Sequence, residues 1–277
     1  MLQAVKTKTL AGGGPWEGTV YRDTEAGLPL MLVHGFPADG SLWDHQISAL
    51  SGRFRLLVPD LPGSGASPEK TPLSIADMAE VLKAILDQEH IPACVVIGHS
   101  MGGYATLAFA ERYPSRLKGY GLFHATAFAD SPEKKAGRSR SMELMRRYGG
   151  ATFLRQMMPT LFSAAFRKAH PEVLQSLVDR AEKAPSGALV GYYDAMRNRP
   201  DRTEILRQTP VPVLFVIGKE DTAAPPADVL KQVSLPSVSQ VYLWEAVAHM
   251  SMLEKPELAT EALEAFVTFC ERYPLFL

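Results

Sequence analysis

The chain has 277 residues, of which 46% are hydrophobic and 21% charged, a composition typical of a globular protein with a substantial core. The formal net charge is −1, so no overall field would draw the chain to nucleic acid or to an anionic membrane. Two cysteines form no disulfide framework, and the sequence shows neither an apolar signal segment nor a run of about 18 apolar residues. These features predict a cytoplasmic protein.

Apolar strands alternate with helices through the first 124 residues. Continuous apolar runs closed by glycine or another turn residue predict buried strands, and apolar residues at helical spacing predict helices. The predicted strands are 16–23, 29–35, 54–60, 93–100 and 117–124; the predicted helices are 74–89 and 103–113, with helical spacing also from Leu42 to Leu50. This alternation indicates a parallel sheet that is covered on both faces.

The alternation stops between residues 125 and 208, where no good strand pattern occurs. Helical patterns fill this segment at 131–148, 150–158, 171–184 and 186–198. Strand patterns return at 212–218 and 238–244, and a last helix is predicted at 256–272. The sequence therefore predicts an α/β core built from 1–124 and 209–277, with a helical insertion at 125–208.

The strongest motif is Gly98-His99-Ser100-Met101-Gly102, which lies between a predicted buried strand and a predicted helix. This G-x-S-x-G pattern is typical of a tight strand-to-helix turn that presents a serine hydroxyl above the sheet edge. Glycine lacks a Cβ atom, so the backbone can turn sharply there. The N-terminal amides of the following helix point to the same place and would stabilise an anion. Ser100 is therefore the predicted nucleophile.

A second glycine-containing turn, HGFP at 34–37, directly follows the predicted strand of residues 29–33. We expect Gly35 to adopt an unusual backbone angle, so that an amide points into the site. An oxyanion hole requires two donors about 3 Å from the developing negative charge. The backbone N–H groups of Phe36 and Met101 are the predicted pair.

A serine hydroxyl needs a base to remove its proton, and seven histidines are available. His249 lies in the loop between the last predicted strand and the last helix, at the sheet edge where sites of open α/β folds gather. The base needs an acid that orients its imidazole and stabilises the cation. Asp221 follows the preceding predicted strand and is the first choice. Glu220, one residue away, and Asp130, after an earlier strand, are the alternatives.

Five segments of the chain together resemble the α/β-hydrolase superfamily, in its lid-bearing esterase-like branch. They are VHGFP (33–37), DLPGSGAS (60–67), GHSMGGYATLAFAERYP (98–114), VLFVIGKEDTAAPP (213–226) and HMSMLEKPE (249–257), and they occur in the family's order. The chain order Ser100, Asp221, His249 is also that of the family. One departure is Ala248, where such proteins usually carry glycine.

The resemblance implies an α/β fold: a mostly parallel eight-stranded sheet with helices on both faces and a helical cap between the sixth and seventh strands. It also implies a small-molecule substrate, no nucleic-acid or membrane partner, and a site that uses no metal ion and no organic cofactor. The expected reaction is hydrolysis of a small carboxylic ester or related acyl compound through an acyl-enzyme, by a monomer or homodimer. The alternatives are carbon–carbon bond hydrolysis, lyase or perhydrolase chemistry on the same triad, and a non-enzymatic small-molecule receptor.

The helical insertion is expected to cover the carboxyl edge of the sheet and to supply an adaptable, methionine-rich lining. The predicted pocket residues come from this insertion and from the loops around the triad; they are His34, His99, His124, Met145, Phe153, Met158 and Met250. The insertion also carries a basic run at 131–147, which holds Lys134, Lys135, Arg138, Arg140, Arg146 and Arg147 against Glu133 and Glu143. A solvated helix face explains this run, and attraction of anionic substrates is the alternative interpretation.

Overall fold

A computed structural model describes residues 5–274, and eight strands form one sheet within that range. The strands are β1 (Lys6–Thr9), β2 (Val20–Asp23), β3 (Leu28–Val33), β4 (Phe54–Pro59), β5 (Cys94–His99), β6 (Leu117–Phe123), β7 (Val213–Gly218) and β8 (Ser239–Trp244). Their order is β1-β2-β4-β3-β5-β6-β7-β8. β2 runs antiparallel to both of its neighbours, β1 and β4, and the strands from β3 to β8 pair with one another in parallel. This confirms the predicted fold class.

Twelve α-helices lie among the described residues. They are α1 (Asp44–Leu50), α2 (Ile75–Gln88), α3 (Met101–Arg112), α4 (Pro132–Tyr148), α5 (Gly150–Met157), α6 (Ala164–Ala169), α7 (Pro171–Ala181), α8 (Ser186–Asn198), α9 (Thr203–Gln208), α10 (Pro226–Val229), α11 (Ser251–Glu254) and α12 (Pro256–Arg272). Every residue of β5 and β7 is buried. Because successive side chains of a strand point to opposite faces, this burial shows that both faces of the central sheet are covered.

Local sequence explains where α2 begins. The Ser74 hydroxyl accepts a hydrogen bond from the Asp77 backbone N–H (3.1 Å), and the Asp77 carboxylate accepts one from the Ser74 backbone N–H (2.8 Å). This capping box satisfies two amides that the first helical turn would otherwise leave unpaired. The apolar stripe of α2, including Met78, Leu82 and Ile85, is fully buried against the rest of the core.

The edge strand β1 was not predicted, because its sequence KTKT has no apolar periodicity and three of its four residues are exposed. Ion pairs stabilise this edge of the sheet. Asp23 on β2 is buried, and its carboxylate accepts hydrogen bonds from Arg55 of β4 (2.6 and 3.0 Å) and from Lys8 of β1 (2.9 Å). Burial opposes ionisation of Asp23, but these cations lower its pKa to about 2.

The described chain between β6 and β7 forms helices α4 to α9 and no strand. Four of these helices follow the predicted helical patterns within a few residues. The short helices α6 and α9 were not predicted, because six residues span less than two turns and show little periodicity. Among residues 5–274, no helix is long and apolar enough to cross a bilayer.

Candidate active site

Ser100 lies in the turn between β5 and α3, with φ 51° and ψ −114°. Its backbone N–H donates to the Phe123 carbonyl at the end of β6 (3.0 Å), which fixes this strained turn against the sheet. A Cβ atom on Gly98 would collide with the backbone carbonyl of Gly102. The turn is therefore tight enough to require glycine, and this explains the G-x-S-x-G spacing that sequence analysis singled out.

The predicted oxyanion donors lie on two turns that are in direct contact. A Cβ atom on Gly35 would lie 2.8 Å from the His99 carbonyl oxygen and 2.9 Å from the Ser100 Cβ. The φ of Gly35 lies outside the left-handed region, and close approach of the two turns is the reason for glycine at this position. Within residues 5–274, neither Phe36 nor Met101 uses its backbone N–H in a hydrogen bond. Both amides are thus available to a ligand.

Asp221 and His249 form a buried hydrogen-bonded pair at the carboxyl ends of β7 and β8. The His249 Nδ1 lies 2.8 Å from Asp221 Oδ2, and both residues are 3% exposed. Asp221 Oδ1 accepts hydrogen bonds from the backbone N–H groups of Ala223 and Ala224, each at 2.8 Å. Burial opposes the charged form, yet the electrostatic interaction with His249 and the hydrogen bonds from the His124 and His249 side chains hold the pKa of Asp221 far below its usual range.

Because the Asp221 carboxylate only accepts hydrogen bonds, His249 presents a protonated Nδ1 to it. The Nε2 of the neutral imidazole then carries a lone pair. His249 also lines the cavity that contains Ser100. Within the described chain, the Ser100 hydroxyl forms no hydrogen bond, and none to His249, so it is free to turn toward the imidazole or toward a substrate.

His124, at the end of β6, is a second imidazole on the same carboxylate. Its Nδ1 donates to Asp221 Oδ2 (3.1 Å), and its Nε2 accepts from the Ser251 hydroxyl (2.7 Å). Burial lowers the pKa of His124 and keeps its ring neutral. The structure thus places His124 behind the Asp221–His249 pair rather than on the cavity surface, where the sequence had predicted it.

The loop that carries His249 is held on three sides. The His249 backbone N–H donates to the Leu161 carbonyl (2.9 Å), and the His249 carbonyl accepts a hydrogen bond from His99 Nε2 (2.9 Å). The buried Glu254 carboxylate accepts from the backbone N–H groups on either side, those of Ala248 (3.1 Å) and Met250 (3.3 Å). Ala248 has no positive φ, so alanine fits where related proteins usually carry glycine.

A cavity of about 380 Å³ opens onto Ser100 and His249. Its other walls come from the turn at Phe36, from α3, from the helical insertion and from the loop after Asp221. These walls are formed by Phe36, Tyr104, Lys134, Gly137, Arg138, Ser141, Met157, Thr160, Leu161, Tyr193, Met196, Thr222 and Ala223. In the sequence, nothing but their i, i+4 spacing distinguishes Lys134 and Arg138 from the rest of the basic run; this spacing places both on one face of α4.

None of the seven predicted pocket residues lines this cavity. Met158 and Met250 line a neighbouring cavity of about 530 Å³, between α7 and the loop 63–69. Met145 and Phe153 are buried in the hydrophobic core, where the Phe153 ring packs edge-on against Tyr193. A methionine-rich sequence therefore indicated burial but not the direction of each side chain.

The remaining two predicted pocket residues, His34 and His99, are fully buried structural histidines. His34 Nδ1 donates to the Gly35 carbonyl (3.0 Å), and its Nε2 accepts from the Leu61 backbone N–H (3.0 Å). His34 therefore joins the turn after β3 to the loop after β4. His99 supports the His249 loop, and burial lowers its pKa well below the usual value.

The alternative acids do not contact His249. Glu220 is exposed, and only its backbone N–H reaches the His249 loop, at the Val247 carbonyl (2.8 Å). Asp130 is buried and forms ion pairs with Arg138 and with Arg199 (2.9 Å). Ligand-type atoms of His124, Asp221 and His249 lie within 4.8 Å of one another, and hydrogen bonds already account for this clustering.

Known proteins with similar sequences and structures have the same architecture. A solved structure of a thermophilic esterase from Thermogutta terrifontis, with malate bound, superposes with a TM-score of 0.89 at 31% identity and covers 96% of this chain and 99% of that one. The enol-lactonase from Burkholderia xenovorans LB400 has the same fold, with a TM-score of 0.84 at 24% identity over 92% of this chain and 99% of that chain.

A pimeloyl-[acyl-carrier protein] methyl ester esterase from Xanthomonas oryzae pv. oryzae is 26% identical over 249 residues, which cover 87% of this chain and 95% of the relative. The family model described as "Alpha/beta hydrolase family" matches residues 30–262, which include both glycine turns, Ser100, Asp221 and His249. These matches confirm the resemblance that the sequence motifs indicated. The chain is thus an enzyme that belongs to the alpha/beta hydrolase family.

Proposed function

We propose that the chain is a serine esterase that hydrolyses small carboxylic esters with Ser100 as nucleophile, His249 as base and Asp221 as orienting acid. The observation that carries the proposal is the shared cavity: Ser100 and His249 line it together, and His249 is bonded through Nδ1 to the buried Asp221. Nucleophile, base and orienting acid in this order are the elements of acyl transfer by a serine hydrolase.

In the first half-reaction, the Ser100 hydroxyl oxygen bonds to the ester carbonyl carbon while its proton moves to His249 Nε2. The carbonyl oxygen becomes an oxyanion, and the backbone N–H groups of Phe36 and Met101 stabilise it. The bond from the carbonyl carbon to the alcohol oxygen then breaks. The alcohol leaves with the proton from His249, and the acyl group remains on Ser100.

In the second half-reaction, a water molecule gives a proton to His249 Nε2 while its oxygen bonds to the acyl carbon. The oxyanion forms again at the same amides, and the bond to the Ser100 oxygen breaks as His249 returns the proton to it. The carboxylic acid is released. Ester and water have become acid and alcohol, and the enzyme is regenerated without an oxidant or reductant.

The size of the cavity supports a small substrate. Its volume of about 380 Å³ is at the lower end of small-molecule sites. We propose that the helical insertion at 125–208 acts as the cap of this cavity.

The cysteines support the proposed cytoplasmic location, because Cys94 and Cys270 are free and buried. The proposed oligomeric state is a monomer or homodimer. The esterases among the similar proteins are consistent with ester hydrolysis.

The proposal is tested by following hydrolysis of 4-nitrophenyl acetate and butyrate by the wild-type chain and by Ser100→Ala. We expect Ser100→Ala to lower kcat by at least about 10⁴, because no acyl-enzyme can form. Ser67→Ala is the control for a buried serine that lies outside the cavity, where its hydroxyl donates to the Asp60 carbonyl, and it should keep far more activity. Equal activity of Ser100→Ala and the wild-type chain would overturn the proposal.

A further inference from the structure

The cavity that contains Ser100 is lined by basic side chains and by no acidic one among the described residues. Lys134 and Arg138 of α4 both line the cavity, and none of its described lining residues is aspartate or glutamate. The remaining basic residues of the predicted run, Lys135, Arg140, Arg146 and Arg147, are exposed. Of the six basic residues in this run, two therefore line the cavity that contains Ser100 and four are exposed to solvent.

Lys134 lies close to the catalytic pair. Its Nζ donates to the Ala223 carbonyl (2.9 Å), and the Ala223 backbone N–H donates to Asp221 Oδ1 (2.8 Å). An ammonium group has three N–H donors, and the Ala223 carbonyl occupies one of them. Among residues 5–274, Lys134 has no acidic partner within ion-pair distance. Its charge and two of its donors therefore remain available to a bound molecule.

Arg138 is held rigidly at the same wall. Its Nε is paired with Asp130, and its guanidinium lies 5.2 Å from the centre of the Tyr193 ring. Asp130 is shared with a second guanidinium, that of Arg199, 2.9 Å away. Arg138 thus shares the Asp130 carboxylate with Arg199 and is fixed beside the cavity by this ion pair and by the Tyr193 ring. Such a fixed cation loses little entropy when it binds an anion.

Resting on the proposed esterase function, we propose that the natural substrate is an ester that carries a carboxylate, and that Lys134 and Arg138 bind this carboxylate inside the catalytic cavity. The carboxylate would be removed from water into a site with two cations and no lining acid, where ion contacts are stronger than on an open surface. A neutral ester of the same length makes no such contact and leaves both cations unpaired.

Two pairs of esters test this inference with the full-length chain, one for each position of the carboxylate. Monomethyl glutarate is compared with methyl pentanoate, and 3-acetoxypropanoate with propyl acetate. Hydrolysis is followed at pH 7 by titration of the released acid. In at least one pair, we expect kcat/KM of the wild-type chain to be about tenfold higher or more for the anionic ester, the value of one charge-assisted hydrogen bond.

The measured quantity for each variant is the ratio of kcat/KM between the anionic and the neutral ester. Lys134→Met should lower this ratio about tenfold, and Lys134→Arg should largely keep it, because the charge remains. Lys135→Met is the matched control on the exposed face of α4 and should leave the ratio unchanged. Raising the NaCl concentration should lower the wild-type ratio.

The inference is overturned if neither pair favours the anionic ester, or if Lys134→Met and Lys135→Met give the same ratio. Failure of the proposed function has a different signature: no ester is hydrolysed, or Ser100→Ala hydrolyses the neutral esters as fast as the wild-type chain. Hydrolysis that depends on Ser100 but shows no preference for a carboxylate therefore rejects the inference alone.

Discussion

Replacing Asp221 with asparagine changes one atom of the proposed catalytic pair, Asp221 and His249, and should abolish most of the activity. In the wild-type chain, Oδ1 accepts two backbone N–H groups and Oδ2 faces the imidazoles of His124 and His249. The amide oxygen introduced by Asp221→Asn has to stay with the two backbone donors, since an amide NH₂ there would leave both unpaired. Its NH₂ group must then face His249.

An NH₂ group at that position can only donate, so the His249 ring has to present an unprotonated Nδ1 to it. The ring proton then lies on Nε2, and the imidazole can no longer accept the proton of Ser100. The charge that stabilises the imidazolium is lost as well. We expect kcat to fall about 10⁴-fold, which corresponds to about 5 kcal/mol of activation free energy.

The assay is hydrolysis of 4-nitrophenyl butyrate, combined with thermal unfolding to show that the variant is folded. Glu220→Gln is the matched control, because it makes the same chemical change at the adjacent, exposed acid. Its activity should stay within about twofold of the wild-type value, as expected for a surface substitution away from the site. A folded Asp221→Asn variant with more than a tenth of the wild-type kcat would refute the assigned role.

His124→Phe removes one donor to Asp221 and should lower kcat about tenfold or more, the value of a hydrogen bond to a charged group, with KM nearly unchanged. His124→Asn keeps a donor near Nδ1 and tolerates the positive φ of 52°, so it should recover much of the kcat; equal loss in both variants would contradict a positioning role. Asp23 should stabilise the fold by about 2 kcal/mol above pH 4, because its pKa is lowered from 3.8 to about 2. This stabilisation is lost as the pH falls from about 4 to about 2, so the difference in unfolding free energy between Asp23→Asn and the wild-type chain, measured in urea, should shrink over that range; a constant difference would contradict it.

The sheet and the hydrogen-bonded pair of Asp221 and His249 could be predicted from the sequence because strong local signals mark them. The strands β5 and β7 are continuous apolar runs, and a two-sided sheet needs such strands. The G-x-S-x-G turn is required by close backbone approach at Gly98, so its residues are visible in the sequence. The strand β1 gave no such signal, because ion pairs and edge pairing stabilise it rather than apolar burial.

The side chains that line the cavity could not be predicted from the sequence, because they depend on how distant segments of the chain pack. Met145 and Met157 are both methionines of the helical insertion, and the sequence does not distinguish them. Met157 lines the cavity, whereas Met145 is buried in the core. His124 was placed at the correct edge of the sheet. Its bond to Asp221, which lies 97 positions away in the chain, depends on β6 and β7 being neighbours.

The central claim is that Ser100 is an activated nucleophile in an assembled site. A fluorophosphonate probe reacts covalently with such a serine, and peptide mass spectrometry identifies the modified residue. We expect one adduct, on the peptide that contains Ser100, and we expect it to form slowly or not at all in Asp221→Asn and His249→Ala. An adduct on a different serine, or equal labelling of Ser100→Ala, would contradict it.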